Sequence, residues 1–104
     1  MVYQIAWTPK ALETYLENIR YLEENWTDKE ISNFVSAVEN TLLILSKYPE
    51  IGSRRNNQKN IRHTFIHKRV SLVYRIRSRK KKNRTINILE YLPISARLNL
   101  LKNK

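Results

Sequence analysis

The second half of the chain contains a run of alternating side chains, VSLVYRIR at residues 70–77. Every second position of this run is apolar or aromatic, whereas the positions between them include Ser71, Arg75 and Arg77. Successive side chains of a β-strand point to opposite faces of the sheet. The run therefore predicts a strand that buries one face and exposes the other.

Two further strand-like runs flank this one, at residues 61–67 and 85–92. Short breaks separate the three runs, at residues 68–69 and 78–84. Because connections this short join neighbouring antiparallel strands, the three runs predict an antiparallel meander. Residues 2–7 are also rich in β-branched and aromatic side chains, which predicts one more strand at the N-terminus.

Two amphipathic helices are predicted between the N-terminal strand and the meander. Apolar side chains recur at steps of three and four over residues 12–22, and again over residues 31–45. Thr8 and Thr27 precede these segments and are suited to cap them. The turn near residues 25–27 is short, so the two helices should form an antiparallel hairpin.

The predicted order of elements is β-α-α-β-β-β, an α+β fold. An N-terminal strand and an antiparallel helical hairpin pack on an antiparallel β-sheet. Residues 53–60 are polar and aperiodic, which is typical of a loop, and residues 94–101 are expected to form a short C-terminal helix. A chain of 104 residues is expected to form a single domain, residues 1–104.

The composition limits the location and the chemistry of the protein. No run of about 18 apolar residues is present, so no membrane-spanning helix is expected, and residues 2–7 are too short for a signal peptide. The chain contains no cysteine, which excludes disulfides, thiolate nucleophiles and cysteine-based metal sites. We therefore expect a cytoplasmic protein with no membrane partner.

Charge is divided unevenly along the chain. Residues 1–50 hold eight Asp and Glu against four Lys and Arg, whereas residues 51–104 hold one acid, Glu90, against sixteen Lys and Arg. A small domain that gathers its cations on one half creates a strong positive field there. The natural partner of that half is a polyanion or a strongly acidic peptide.

The cationic side chains of the second half are the candidates for binding a nucleic acid or an acidic partner. A surface that is charged only for solubility usually mixes both signs, and this half does not. Arginine at strand positions also favours bidentate contacts with phosphate. The candidates are Arg54, Arg55, Lys59, Lys68, Arg69 and Arg77.

The two histidines, His63 and His67, are candidates for acid–base or metal chemistry. On one strand they would point to the same side but lie about 13 Å apart, since a strand rises ~3.3 Å per residue. They therefore cannot hold one metal ion together, and no metal site is expected. Either histidine alone can serve as a proton donor.

Glu90 is the single acid of the basic half and falls in the middle of a predicted strand. It is better suited to pair with a neighbouring arginine, Arg75 or Arg77, than to act as a general base. Tyr74 has apolar neighbours and is expected on the apolar face. Tyr91 alternates with Glu90, and whether it lies in the core or on the surface stays open.

After the predicted helical hairpin the chain contains YPEIG at 48–52, VSLVYRI at 70–76 and INIL at 86–89. In this order the segments resemble the RelE/ParE superfamily of toxins from type II toxin–antitoxin systems. The resemblance runs through residues 2–92. Each segment is common by itself, but their order and spacing, together with the division of charge, are fairly specific.

The resemblance implies a small toxin that a cognate antitoxin holds inactive. Some members of the superfamily enter the ribosome and cut mRNA, by promoting attack of a ribose 2′-OH on the adjacent phosphate. Others inhibit DNA gyrase without being nucleases. No cofactor is implied for either activity. A homodimer and a heterotetramer with the antitoxin both stay open.

The nuclease residues of the superfamily are matched only in part. The first basic residue of the central strand corresponds to Arg62, whereas the second falls on Thr64. The arginine before the Leu-Val-Tyr run falls on Ser71. Many relatives end the last strand in His or Tyr followed by basic residues, but LPISA occupies residues 92–96 here. These departures favour a ParE-like activity without RNA cleavage.

For the nuclease alternative, the candidate catalytic residues are Arg62, Arg75, Tyr91 and His63. Cleavage without a metal needs a base, an acid and cations around the phosphate. The two arginines would supply the cations, and His63 or Tyr91 the acid and base. Two other hypotheses are a non-toxic basic module that binds RNA or the ribosome, and a degenerate toxin that only binds its antitoxin.

Overall fold

The computed structural model of the protein describes residues 2–25, 27–54, 60–67, 70–79 and 83–92. The elements in chain order are β1 (Gln4–Trp7), α1 (Pro9–Asn25), α2 (Asp28–Lys47), a 3-10 turn (Pro49–Ile51), β2 (Ser53–Arg54), β3 (Ile61–His67), β4 (Val70–Arg79) and β5 (Asn83–Leu92). The predicted α+β fold is confirmed. The predicted C-terminal helix at residues 94–101 lies outside the described residues.

The five strands form one sheet in the order β1-β5-β4-β3-β2. β3, β4 and β5 pair as the predicted antiparallel meander. The sheet is mixed rather than purely antiparallel, because β1 pairs in parallel with β5, from Gln4 opposite Thr85 to Trp7 opposite Ile88. Parallel neighbours need a long connection, and the helical hairpin and the other strands lie between these two in the chain.

The segment 53–60, predicted as a loop, begins with a short strand. Ser53 and Arg54 pair with His63 and Arg62 and form one edge of the sheet. Two residues are too few to show a strand-like alternation, so this strand has no signature of its own in the sequence. Its pairing with β3 extends the sheet on the side away from β1.

Both helices begin at the threonines predicted from the sequence. The Thr8 hydroxyl accepts the N–H of Ala11 at 3.0 Å, and the Thr27 hydroxyl accepts the N–H of Glu30 at 3.3 Å. These bonds satisfy backbone donors that have no partner within the helix. No helix in the described ranges is long and apolar enough to cross a membrane.

One face of the sheet packs against the helical hairpin and forms the hydrophobic core. The core side chains are Ala11, Leu22, Phe34, Val38 and Leu45 from the helices and Val70, Leu72, Tyr74, Ile86, Ile88 and Tyr91 from the strands. Val70, Leu72 and Tyr74 of β4 are thus buried beneath the helices, as the alternation at residues 70–77 predicts. Ser71 and Val73 between them are also buried, at 3% and 2% exposure, so the prediction that the other face is exposed is wrong at these two positions. The helix-facing side of the sheet therefore contributes to the hydrophobic core.

The pairing of β4 with β5 contains a β-bulge at Leu89. Val73 lies opposite Glu90, whereas the next residue of β4 lies opposite Ile88, so Leu89 has no partner in this pairing. The extra residue reverses the alternation of side chains along β5. As a result, Tyr91 points into the core and Glu90 lies on the opposite side of the sheet.

The threonine that caps α1 and a threonine within α1 bind the backbone of β5 in and beyond the bulge. The Thr8 hydroxyl lies within hydrogen-bond distance of the carbonyls of Ile88 and Leu89, at 2.9 and 3.0 Å. The Thr14 hydroxyl accepts the buried N–H of Tyr91 at 2.9 Å. The two carbonyls and the N–H of Tyr91 therefore have side-chain partners at the bulge.

We expect Thr14→Val to lower the free energy of unfolding by about 1–3 kcal/mol, because the buried Tyr91 N–H loses its partner while the side chain keeps its size. Urea unfolding followed by circular dichroism measures the change. Thr41→Val is the matched control, since partly buried Thr41 makes no side-chain hydrogen bond in the described part of the chain. Equal losses in the two variants would show that the bulge does not depend on Thr14.

Candidate functional site

The sheet has a second face, on the side opposite the helices, which we call the outer face. Residues of β4 that alternate with the core residues lie on it, together with their partners on β3 and β5. Its members include Ile61, His63, Phe65, Ser71, Val73, Arg75, Arg77, Thr85, Asn87 and Glu90. Three of the predicted functional residues, His63, Arg75 and Arg77, therefore share one face.

Arg75 and Arg77 lie two residues apart on the outer face. Arg75 is partly buried and lies between Ile61 and Asn87, whereas Arg77 is exposed. Within the described ranges, neither guanidinium makes an ion pair or a hydrogen bond. Arg77 is thus an exposed cation of the outer face, beside the partly buried Arg75.

Glu90 is an acidic residue on the outer face, and it forms an ion pair with Lys10 near the start of α1. Nζ of Lys10 lies 3.7 Å from Oε1 of Glu90. The prediction that Arg75 or Arg77 pairs with Glu90 is wrong, because the bulge places Glu90 opposite Val73 and beside α1. The ion pair compensates a carboxylate that would otherwise repel an anion from this face.

His63 and Phe65 form an aromatic pair on the outer face of β3. Their ring centroids lie 6.5 Å apart, and the ring planes are nearly perpendicular, at 88°. Nδ1 of His63 is buried and has no hydrogen-bond partner in the described part of the chain. Phe65 is 55% exposed.

The second histidine does not follow the simple alternation assumed from the sequence. The register of β3 shifts between Phe65 and His67. No three His, Asp or Glu side chains among the described residues are grouped as metal ligands would be. The side chains of His67, Arg55, Lys59, Lys68 and Arg69 lie outside the described part of the structure.

Arg62, a candidate catalytic residue, lies on the helix-facing side of β3, opposite Tyr74. Its Nη1 donates to the carbonyl of Gly52 at 2.7 Å and to the carbonyl of Glu50 at 3.2 Å. The guanidinium is thus bonded to the turn that follows α2. Arg54, a candidate binding residue, is exposed and lies opposite Arg62 at the β2 edge rather than on the outer face.

Tyr74 holds the same turn from within the core. Its hydroxyl donates to the carbonyl of Pro49 at 2.7 Å and accepts the N–H of Gly52 at 3.1 Å. A β-carbon at Gly52 would collide with the Tyr74 hydroxyl and would lie 2.8 Å from the His63 carbonyl. Gly52 is the single glycine of the chain, so the sequence does carry a signal for this close approach.

Residues 5–90 match the sequence model of the family described as ParE toxin of type II toxin–antitoxin system, parDE. The chain belongs to this ParE toxin family. The resemblance to the RelE/ParE superfamily is therefore confirmed, and membership gives this ParE-family toxin an antitoxin as its expected partner. No curated protein matches the sequence significantly.

Solved toxin structures share the fold of this ParE-family toxin. The chromosomal ParDE system from P. aeruginosa matches with a TM-score of 0.67 at 14% identity, over 86% of this chain and 94% of that chain. The YoeB/ParE toxin from Agrobacterium tumefaciens gives 0.59 at 12% identity, over 85% and 94%. The YoeB dimer from Staphylococcus aureus gives 0.56 at 21% identity, over 86% and 94%. At these identities the similarity establishes the fold.

Tyr91, a candidate catalytic residue, belongs to the core of the ParE-family toxin. It has no exposed surface, and its ring lies 5.2 Å from that of Trp7 and 5.5 Å from that of Tyr15, between centroids. Its hydroxyl has no hydrogen-bond partner in the described ranges. Burial raises the pKa of Tyr91 far above its usual value. In this conformation the hydroxyl neither reaches a substrate nor gives up its proton readily.

We expect Arg62→Ala to lower the free energy of unfolding of the isolated toxin by about 1–3 kcal/mol, because two carbonyls of the turn lose their charged donor. Arg77→Ala is the matched control and should change stability by less than about 0.5 kcal/mol, since Arg77 is exposed. Urea unfolding of both variants measures the difference. Unchanged stability in Arg62→Ala would mean that its guanidinium is free for an anionic ligand.

We expect the stability of the toxin to fall as the pH rises above about 10. Burial raises the pKa of Tyr15, Tyr74 and Tyr91 in the folded state, so each stays protonated where the unfolded chain ionises. Their contribution is complete below the unfolded pKa and is lost at higher pH. Urea unfolding between about pH 9 and about pH 11 measures the loss. Tyr91→Phe should reduce it, and an unchanged pH dependence would contradict this assignment.

Proposed function

We propose that this ParE-family toxin acts by binding DNA gyrase, not by cutting mRNA, and that a cognate antitoxin neutralises it. The proposal rests on the distribution of the candidate catalytic residues over the sheet. His63 and Arg75 lie on the outer face, whereas Arg62 and Tyr91 lie on the helix-facing side. Residues that act on one phosphate must all reach it, and side chains on opposite faces of a sheet are separated by the sheet itself.

The chemistry available on the outer face supports binding better than cleavage. Cleavage of RNA without a metal needs a base for the 2′-OH, an acid for the leaving oxygen and cations for the phosphate. Arg75 and Arg77 supply cations. The candidate acid and base on this face are His63 and Glu90. Nδ1 of His63 is buried, and the carboxylate of Glu90 forms an ion pair with Lys10. The face therefore offers charge without a matched acid and base.

The antitoxin is expected to present an acidic segment to the outer face. The basic half of the chain holds sixteen Lys and Arg against one acid, and Arg75 and Arg77 have no partner in the described ranges. Opposite charges accelerate and orient association. An acidic segment over this face would withhold the same cations from gyrase and its DNA, which explains neutralisation.

We expect the purified toxin at micromolar concentration to inhibit supercoiling of relaxed plasmid DNA by gyrase. Replacing both Arg75 and Arg77 by Ala should weaken inhibition by about tenfold or more, since each lost charge-assisted contact with an acidic group of gyrase contributes on the order of 1–2 kcal/mol. Lys29→Ala is the control, because it removes an exposed charge from α2 and not from the sheet. Undiminished supercoiling in the presence of the intact toxin would contradict the proposal.

A cell-free translation reaction tests the nuclease alternative with the same protein. The proposal predicts that the reporter mRNA stays intact, as mapped by its 5′ ends. Codon-phased cuts that require translating ribosomes would overturn it. If neither activity appears but the antitoxin still binds, the chain is a degenerate toxin. Light scattering of the complex distinguishes a toxin homodimer from a heterotetramer with the antitoxin.

A further inference from the structure

β1 is an edge strand of the sheet, and one side of its backbone is open. The N–H of Thr8, just after β1, donates to the carbonyl of Ile88 on β5 at 3.0 Å. In a parallel pair, the backbone groups of alternate residues point to the neighbouring strand. Those of Ile5 and Trp7 therefore point away from β5, and they have no hydrogen-bond partner among the described residues.

The β1 edge lacks the features that usually protect a free strand. Natural proteins place charged residues, Pro or covering segments at such edges. Residues 2–7 contain no charged residue and no Pro, although 28% of the chain is charged. The side chains of Gln4 and Ala6 are exposed. The opposite edge of the sheet, β2, is only two residues long and includes Arg54. The sheet is therefore open to the addition of a strand at β1.

We propose that β1 pairs with β1 of a second copy of the toxin, in an antiparallel arrangement about a twofold axis at Ala6. Ile5 of each copy exchanges both backbone hydrogen bonds with Trp7 of the other copy. The same residues serve on both sides, as in any twofold-symmetric interface. The inference goes beyond the proposed function, because neither gyrase nor the antitoxin takes part in this contact.

The backbone limits the register of this pairing. The N–H of Tyr3 also points away from β5, but it already donates to the carbonyl of Ser46 at 2.7 Å. Pro9 has no N–H and begins α1. Between these limits, Ile5 and Trp7 are the positions whose N–H and carbonyl are both open. Pairing each of them with the other is the antiparallel register that uses all of these groups.

The side chains of β1 suit the same register. Ile5 packs at the margin of the core, and Trp7 is 36% exposed, so contact between them across the axis covers apolar surface that is open in one copy. An aromatic residue directly opposite a β-branched one stabilises a sheet. At the axis, Ala6 faces the same residue of the second copy, and its small side chain allows close approach of the strands.

A neutral, self-complementary strand fits a second copy better than an acidic antitoxin segment. Such a segment needs cations, and residues 2–7 supply none. The contact is small, because only the four residues of β1 pair. Small interfaces are typical of weak and transient association. We therefore expect the dimer to form at micromolar rather than nanomolar concentrations of toxin.

Disulfide trapping in the intact toxin tests the pairing and its register. The chain contains no cysteine, so one substitution places a single thiol in each copy. The Cα atoms of a directly opposed, non-hydrogen-bonded pair lie about 4.5 Å apart, within reach of a disulfide. Ala6→Cys should therefore give a covalent dimer under mild oxidation, seen on a non-reducing gel.

Gln4→Cys is the matched control on the same exposed edge. In the proposed register its two thiols lie at least about 13 Å apart, since they are offset by four residues along the strands, and they should stay unlinked. No covalent dimer of Ala6→Cys, or equal cross-linking at both positions, would overturn the proposal.

Sedimentation velocity of variants with a charge at the axis gives an independent test. Ala6→Lys and Ala6→Glu should each weaken self-association about fivefold or more, because like charges directly opposite each other repel. A mixture of the two variants should restore the dimer. Ser36→Lys, at an exposed position of α2, is the control and should dimerise like the unchanged toxin.

A dimer that persists in both Ala6 variants would place the interface elsewhere and refute the proposal. A toxin that is monomeric at every concentration, and whose antitoxin binding is weakened by Ala6→Lys, would show that the edge takes an antitoxin strand instead. Gyrase supercoiling is measured separately on the same variants. A dimer without gyrase inhibition would refute the proposed function alone, and inhibition by a strictly monomeric toxin would refute this inference alone.

Discussion

The β-bulge at Leu89 determines which side chains the sheet gives to the core and which to its outer face. Without it, Glu90 would follow Ile88 towards the helices and Tyr91 would point outward. Thr8, which caps α1, and Thr14 of α1 contact the backbone of β5 at this point, so the bulge and the first helix stabilise each other. The directions of Glu90 and Tyr91 depend on this bulge.

The two faces of the sheet also carry residues with different roles, in stabilising the fold and in the proposed binding. On the helix-facing side, Tyr74 and Arg62 hold the turn after α2 through three backbone carbonyls and one backbone N–H. These polar groups are occupied within the protein, which fixes the end of the helical hairpin on the sheet. On the outer face, the charges of Arg75 and Arg77 have no partner in the described ranges. Arg62, which holds the turn, therefore lies on the opposite side of the sheet from Arg75 and Arg77.

Local sequence patterns predicted the elements better than the pairings and the site. The strand at residues 70–77 and the threonine caps depend on neighbours in the chain, and both are confirmed. The predicted exposure of the alternate positions is wrong at Ser71 and Val73, which are buried. The parallel pairing of β1 with β5 joins segments some eighty positions apart and leaves no local pattern. The structural role of Arg62 could not be predicted from the sequence, because its partners are backbone carbonyls, which any residue type supplies. Tyr91 could not be placed because one unpaired residue reverses its direction.

Methyl NMR of the labelled toxin, titrated with gyrase, tests most directly whether the outer face is the binding surface. Ile61 lies on the outer face beside Arg75, whereas Leu43 is 59% exposed on α2. The account predicts that the Ile61 methyl signals shift or broaden on binding while those of Leu43 stay unchanged. Changes at Leu43 with no effect at Ile61 would show that the helical hairpin meets the target, and would contradict the account.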